Sequence, residues 1–293
     1  MAIPIITDWE KYFEYPHEGM GSSYERIVLN RKLLQLAEKH GIATAIETPC
    51  FGFTGISGIN LMALADKGIA ISLEDDDPQR LELIEALWQR LGRHLQTRLN
   101  PGFRQLDYPD ASFDLSFSFS ALWFVDGLRD FMNELARITA KLIFISVPNR
   151  DGLGYKLQFR DYSPQRYPSL KPEQIDPPSI ITLLVRAGWQ LLEADYIDCP
   201  PWPDIGMAKE DFLQKWLPRR VLGMASFKTA RQAHPLSILD FYTGEDPAPS
   251  LVRTPCPASP ETPLGSSLLS AVSAGWFLTG SAVKARFRCP ASV

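Results

Sequence analysis

The residues of this chain whose types and spacing could do chemistry are an acid, a set of loop glycines and a run of acids. Glu47 ends a short β-prone run, Thr44–Ile46, and Gly52, Gly55 and Gly58 follow in the loop after it. A second β-prone run, Ile69–Leu73, ends in Glu74, Asp75, Asp76 and Asp77. Glycines in a strand-to-helix loop let backbone N–H groups approach a ligand closely, and an acid closing the second strand can accept hydrogen bonds from ribose hydroxyls. The constellation therefore suits an adenosine-containing cofactor, with Glu47, Gly52 and Gly55 around the loop. Asp75 is the expected ribose acceptor, with Glu74 the alternative one residue earlier. Asp77 stands directly before Pro78 and is expected to cap the next helix instead.

These residues must be positioned by alternating strands and helices. Ile59–Lys67 reads as a helix stopped by Gly68, and Tyr24–Lys39 as an amphipathic helix ahead of the first strand. Apolar residues recur at helical spacing after Pro78, from Leu81 to Leu91, and again over Leu128–Ile138. Strands are expected at Phe103–Leu106, Phe113–Phe119, Lys141–Val147 and Trp189–Ile197, with a helix over Pro178–Ala187 and a short one over Lys209–Leu217. The alternation predicts an α/β fold, a doubly wound Rossmann-like sheet of mostly parallel strands with helices on both faces. One domain is expected over residues 1–242, with a helical cover over 1–40. Residues 150–178 carry Tyr155, Phe159, Tyr162 and Tyr167 among prolines and read as a lid-like insertion. Residues 243–293 are rich in Pro, Ser and Thr and read as a flexible tail.

Composition excludes several function classes. The 293 residues carry a net charge of −4 with a pI near 5.7, so no basic field draws the chain to nucleic acid or anionic lipid. Cys50, Cys199, Cys256 and Cys289 are dispersed without a C-x-x-C pair, and the four histidines are equally scattered, which predicts neither a disulfide framework nor a metal site. The N-terminal stretch lacks a secretory pattern, and no apolar stretch is long and undiluted enough to span a bilayer. The expectation is a cytoplasmic protein acting on a small molecule, with no membrane partner.

Two later stretches carry a family resemblance. YPDASFDLSFSFSALWFVDG (108–127) joins a turn, an S-F-D strand entry and a Leu-aromatic segment, and FMNELARITAKLIFISVPN (131–149) joins a Glu-x-x-Arg helix to a strand ending in V-P-N. In this order and at this distance from the glycine loop, they resemble the class I S-adenosylmethionine-dependent methyltransferases over about Tyr24–Ile197. The resemblance implies S-adenosylmethionine as cofactor, Ser120, Leu122 and Trp123 at its methionine end, and Asp107 at the adenine. The loop itself departs from the family pattern. Pro49 and Phe51 stand two and four positions after Glu47, where the family has glycines.

Methyl transfer from a sulfonium needs alignment of an acceptor and exclusion of water, and a base only where the acceptor must lose a proton. No catalytic residue is therefore legible. His17, Tyr24, Asn149 and Tyr155 are the candidate substrate contacts. Two other readings stand beside small-molecule methyl transfer. One is a non-catalytic methyltransferase-like binding or scaffold protein, for which the altered loop speaks. The other is an NAD(P)-dependent oxidoreductase, which the S-F-D and V-P-N segments oppose.

Overall fold

The apolar runs of the chain become the strands of a single sheet. In the computed structural model, which describes residues 9–14, 20–51, 55–151, 155, 159, 162–197 and 282–288, these are β1 (Thr44–Glu47), β2 (Ala70–Asp75), β3 (Gln96–Leu99), β4 (Phe113–Phe119), β5 (Thr139–Pro148), β6 (Gln190–Ile197) and β7 (Ala282–Arg288). They lie in the order β3-β2-β1-β4-β5-β7-β6. The first five run parallel, and β7 runs antiparallel to both β5 and β6. Strand order reverses at β1, which has β2 on one side and β4 on the other. In open parallel sheets that reversal opens a crevice beyond the carboxyl ends of the strands.

Helices α1 (Lys11–Glu14), α2 (Met20–His40), α3 (Met62–Ala65), α4 (Pro78–Arg90), α5 (Leu128–Ile138) and α6 (Pro177–Arg186) cover the sheet. Because successive strand side chains alternate in direction, the sheet feeds two cores. On one face Ala45, Ile71, Leu73, Leu115, Phe117 and Phe144 pack with Leu29 and Leu33 of α2 and with Ile84 and Trp88 of α4. On the other, Ile46, Ile143, Ile145 and Val147 meet Phe131, Met132, Leu135 and Ile138 of α5 and Ile180 and Leu184 of α6. The doubly wound sheet with helices on both faces is thus present. Among the described residues no helix is long and apolar enough to cross a membrane.

Three expectations change. The third strand is Gln96–Leu99, paired with Ser72–Asp75, whereas Pro101–Phe103 forms a 3-10 turn with positive φ at Gly102 and Phe103. Phe103 and Leu106 give their side chains to the core without joining the sheet. The helix expected over Ile59–Lys67 contracts to Met62–Ala65, while Ile59, Asn60 and Leu61 remain buried ahead of it. The third change concerns the tail of residues 243–293. Its segment Ala282–Arg288 is a full strand wedged between β5 and β6, so the sheet reaches beyond residue 242. The short helix expected over 209–217 lies outside the described residues.

Candidate functional site

The site is built where β1, β2 and β4 end together. The backbone leaving β1 stays tied to both neighbours: the Thr48 N–H donates to the Phe117 carbonyl at 3.0 Å and the Cys50 N–H to the Glu74 carbonyl at 2.8 Å. This brings Glu47, Thr48, Cys50 and Phe51 against Glu74 and Asp75.

Glu47 is buried beneath α2. Asn60 Nδ2 donates to its Oε1, and the Asn60 Oδ1 in turn accepts from the Arg26 guanidinium. Arg26 also donates to the Ile56 carbonyl at 3.0 Å. Glu47 Oε2 has no hydrogen-bond partner among the described residues. Burial pushes the Glu47 carboxyl up to about 8, and the Asn60 hydrogen bond and the Arg26 charge only partly oppose it. The site therefore holds a protonatable carboxyl with one oxygen to spare.

Asp75 is arranged differently. Arg80, from the first turn of α4, grips it with Nε at 2.9 Å from each carboxylate oxygen and with Nη2 on Oδ1. The Asp77 N–H donates to Oδ1 at 2.9 Å, and the Cys50 thiol points at Oδ2 from 3.1 Å. Both oxygens are engaged, and neither Asp75 nor Arg80 is open to solvent. Burial, with the Asp75 charge beside it, pushes the Cys50 thiol up, so it stays a donor. Three further groups hold the guanidinium. The Phe51 ring lies 3.7 Å from it and the Trp9 ring 5.0 Å, and Asp76 accepts from Nη2 at 2.8 Å. Asp77 caps α4 as expected, its Oδ1 accepting from the N–H groups of Gln79 at 2.9 Å and Arg80 at 3.2 Å.

Glu74 projects to the opposite side of β2. It accepts from Thr48 Oγ1 at 2.8 Å and Asn100 Nδ2 at 3.3 Å, and burial raises its pKa. Gly55 has φ +105 and lies in the loop, whereas Gly52 lies outside the described residues. Gly58 serves packing: with φ +72, its carbonyl accepts from the Trp88 indole at 2.8 Å, and an added Cβ would meet Ile84 at 2.8 Å.

The remaining candidates spread out. Asp107 is not drawn into the crevice; its side chain is 92% exposed and pairs with Arg98 at 2.8 Å. Ser120 closes β4 with φ +53, its N–H bonded to the Ser146 carbonyl at 2.8 Å and its own carbonyl accepting from the Trp123 indole at 2.7 Å. Leu122 and Trp123 are fully buried in the second core. Asn149 closes a turn by accepting from the Asp151 N–H at 3.0 Å. Tyr155 is buried and stacks on Phe159 at 4.6 Å, the start of a ladder continuing through Tyr162 to Tyr167. His17 and the Tyr24 side chain lie outside the described residues. The Glu-x-x-Arg pair is a clamp: Arg137 bonds the carbonyls of Leu106 and Tyr108 at 2.7 Å each, and Glu134 takes the Leu106 N–H at 2.9 Å.

The structure thus brings together Glu47 and Asp75, sets Glu74 on the opposite side of β2, and adds Arg26, Asn60, Arg80, Phe51 and Trp9, which sequence reasoning passed over. Only Phe51 left a signal, as a bulky residue at a glycine position. Among the described residues no group of His, Cys, Asp and Glu could hold a metal ion.

Known proteins resemble parts of this chain. Residues 54–142 match the family described as a methyltransferase domain, a match that begins after Glu47 and Phe51. The fold is similar to that of a Bacillus halodurans protein assigned as a methyltransferase, at TM-score 0.52 and 13% identity over 89% of this chain and 98% of the other. The N-methyltransferase NodS of Bradyrhizobium japonicum aligns at TM-score 0.47 and 13% identity, over 91% and 97% of the two chains. No curated protein sequence matches the chain.

Proposed function

We propose that this chain is a class I S-adenosylmethionine-dependent methyltransferase, a reading supported by its matched domain and its sheet, and that it transfers a methyl group from S-adenosylmethionine to a small-molecule acceptor. The observation that carries the reading is Glu47. A buried carboxyl with one oxygen unpartnered among the described residues stands at the end of β1, where strand order reverses and ligands enter such sheets. The cofactor, when bound, supplies an electrophilic methyl group, which leaves the protein to orient and desolvate. Arg26 and Asn60 hold the Glu47 carboxyl in place, and Leu122 and Trp123 pack the floor beneath the end of β4. The insertion over 150–178, anchored where the Lys171 N–H meets the Trp123 carbonyl at 3.0 Å, is proposed to cover the acceptor.

The fit to the cofactor is incomplete. Glu47 leaves one carboxyl oxygen without a partner among the described residues, but Asp75, the proposed ribose acceptor, is taken by Arg80, and Asp107 is turned to solvent. The same observation favours the second reading, a non-catalytic methyltransferase-fold binding protein. Calorimetric titration with S-adenosylmethionine, S-adenosylhomocysteine and NAD separates the readings. Saturable heat with the first two and none with NAD is expected. Heat with NAD alone would make the chain an oxidoreductase. Silence with all three up to about millimolar concentration, where binding is still worth ~4 kcal/mol, would leave the non-catalytic reading.

A further inference from the structure

We infer that Arg80 is an internal occupant of the ribose position, held on Asp75 by Phe51 and Trp9, so that the cofactor crevice of this chain is closed by its own side chains. The inference rests on the methyltransferase reading and concerns the regulation of that same site.

The argument starts from what a ribose would need. Its two hydroxyls are neutral donors that require both oxygens of the acid closing β2. Here both oxygens already accept from one guanidinium, and a backbone N–H and a thiol complete the set. A planar guanidinium fork matches a carboxylate in two bonds at once, and charge-assisted bonds are about twice as strong as neutral ones. A diol cannot displace that fork on equal terms.

The second part concerns volume. Phe51 stands four positions after Glu47, where the family pattern has a glycine and where a glycine would leave room for a ligand beside the backbone. Its ring instead covers the guanidinium at 3.7 Å and packs on Phe124 at 5.4 Å. Trp9, from the segment just before α1, approaches the guanidinium at 5.0 Å and braces against Phe13 at 6.1 Å. Arginine stacks well on aromatic faces and loses little hydration there. The Asp75 carboxylate, the Phe51 and Trp9 rings and the Asp76 carboxylate thus all favour one placement of the guanidinium.

The third part concerns the way out. Arg80 sits in the first turn of α4 and Asp76, its exposed partner, lies at the crevice rim with a half-exposed side chain. The guanidinium can move toward Asp76 and solvent while keeping a charge partner, and the Asp75 carboxylate then keeps the Asp77 N–H and the Cys50 thiol as donors. Closure then acts as a population tax: apparent affinity falls by the fraction of molecules that are open.

The test measures S-adenosylhomocysteine binding by calorimetry to the full-length wild type and to Phe51→Gly and Trp9→Ala. Each substitution removes one wall of the guanidinium without leaving Asp75 unpaired. Near-ultraviolet circular dichroism confirms that each variant is folded. If the crevice is closed more than nine-tenths of the time, both variants gain about tenfold or more in affinity. Adding Asp75→Asn to the Phe51→Gly background should then remove the gain, because the ribose has lost its acceptor. Wild type and both variants binding equally would overturn the inference while leaving the methyltransferase reading intact. Folded variants that bind no ligand at all would overturn both.

Discussion

Glu47→Gln tests the central electrostatic feature of the site. The Glu47 carboxyl titrates from an ordinary value of 4.5 in the unfolded chain to about 8 in the folded one, because burial disfavours its charge more than Asn60 and Arg26 restore it. Between those values the folded protein holds a proton that the unfolded chain has released. Stability is therefore fully present below about pH 4.5 and is lost as pH rises toward 8. At ~1.4 kcal/mol per unit, the loss is on the order of 4–5 kcal/mol across the window, about 3 of it by pH 7. Glutamine keeps an oxygen to accept from Asn60 Nδ2 and has no charge to desolvate. Urea denaturation of wild type and Glu47→Gln at half-unit steps from pH 4.5 to 8.5 reads the difference. The wild type should lose stability relative to the variant steadily over that range. Two curves that stay parallel would show that the carboxyl is not held neutral, and the account of the site would fail at its centre.

Two further outcomes follow from backbone geometry. Gly58→Ala places a Cβ 2.8 Å from Ile84 at a φ of +72, so it should cost about 2 kcal/mol or more by denaturant titration; a cost below about 0.5 kcal/mol would mean that α4 packs elsewhere. Ala285→Pro removes a donor from β7, which bonds a strand on each side, and should broaden or abolish the cooperative transition; a variant as stable as wild type would show that β7 is dispensable.

Sequence reasoning reached what periodicity encodes. Phe113–Phe119 and Lys141–Val147 are apolar enough to be buried strands, and Asp77-Pro78 announces a helix start, so these elements match the structure within a residue or two. It failed where an element's identity comes from a neighbour. Gln96–Leu99 is a mostly polar edge strand that owes its conformation to pairing with β2, and Phe103 looks strand-like but is turned inward by a positive φ. Within the site, Glu47 was legible because an acid after a strand is a local pattern. The fate of Asp75 was not. Its role depends on Arg80 five residues later and on Phe51 and Trp9 far from it in the chain, a meeting in space that no spacing rule records.

The placement of β7 has a consequence for how the chain is made. The slot between β5 and β6 is filled by residues 282–288, and residues 198–281 are synthesised between β6 and the strand that joins it to the sheet. Throughout that interval on the ribosome, β5 carries an unpaired row of N–H and C=O groups along one edge. Such an edge can pair with any passing strand, including the same segment of a neighbouring nascent chain. A contact of such long sequence separation also forms late, because loop closure precedes any gain from pairing. The pairing of β7 with β5 and β6 is therefore a late step of assembly, and the time the nascent chain spends before it adds to its exposure to aggregation.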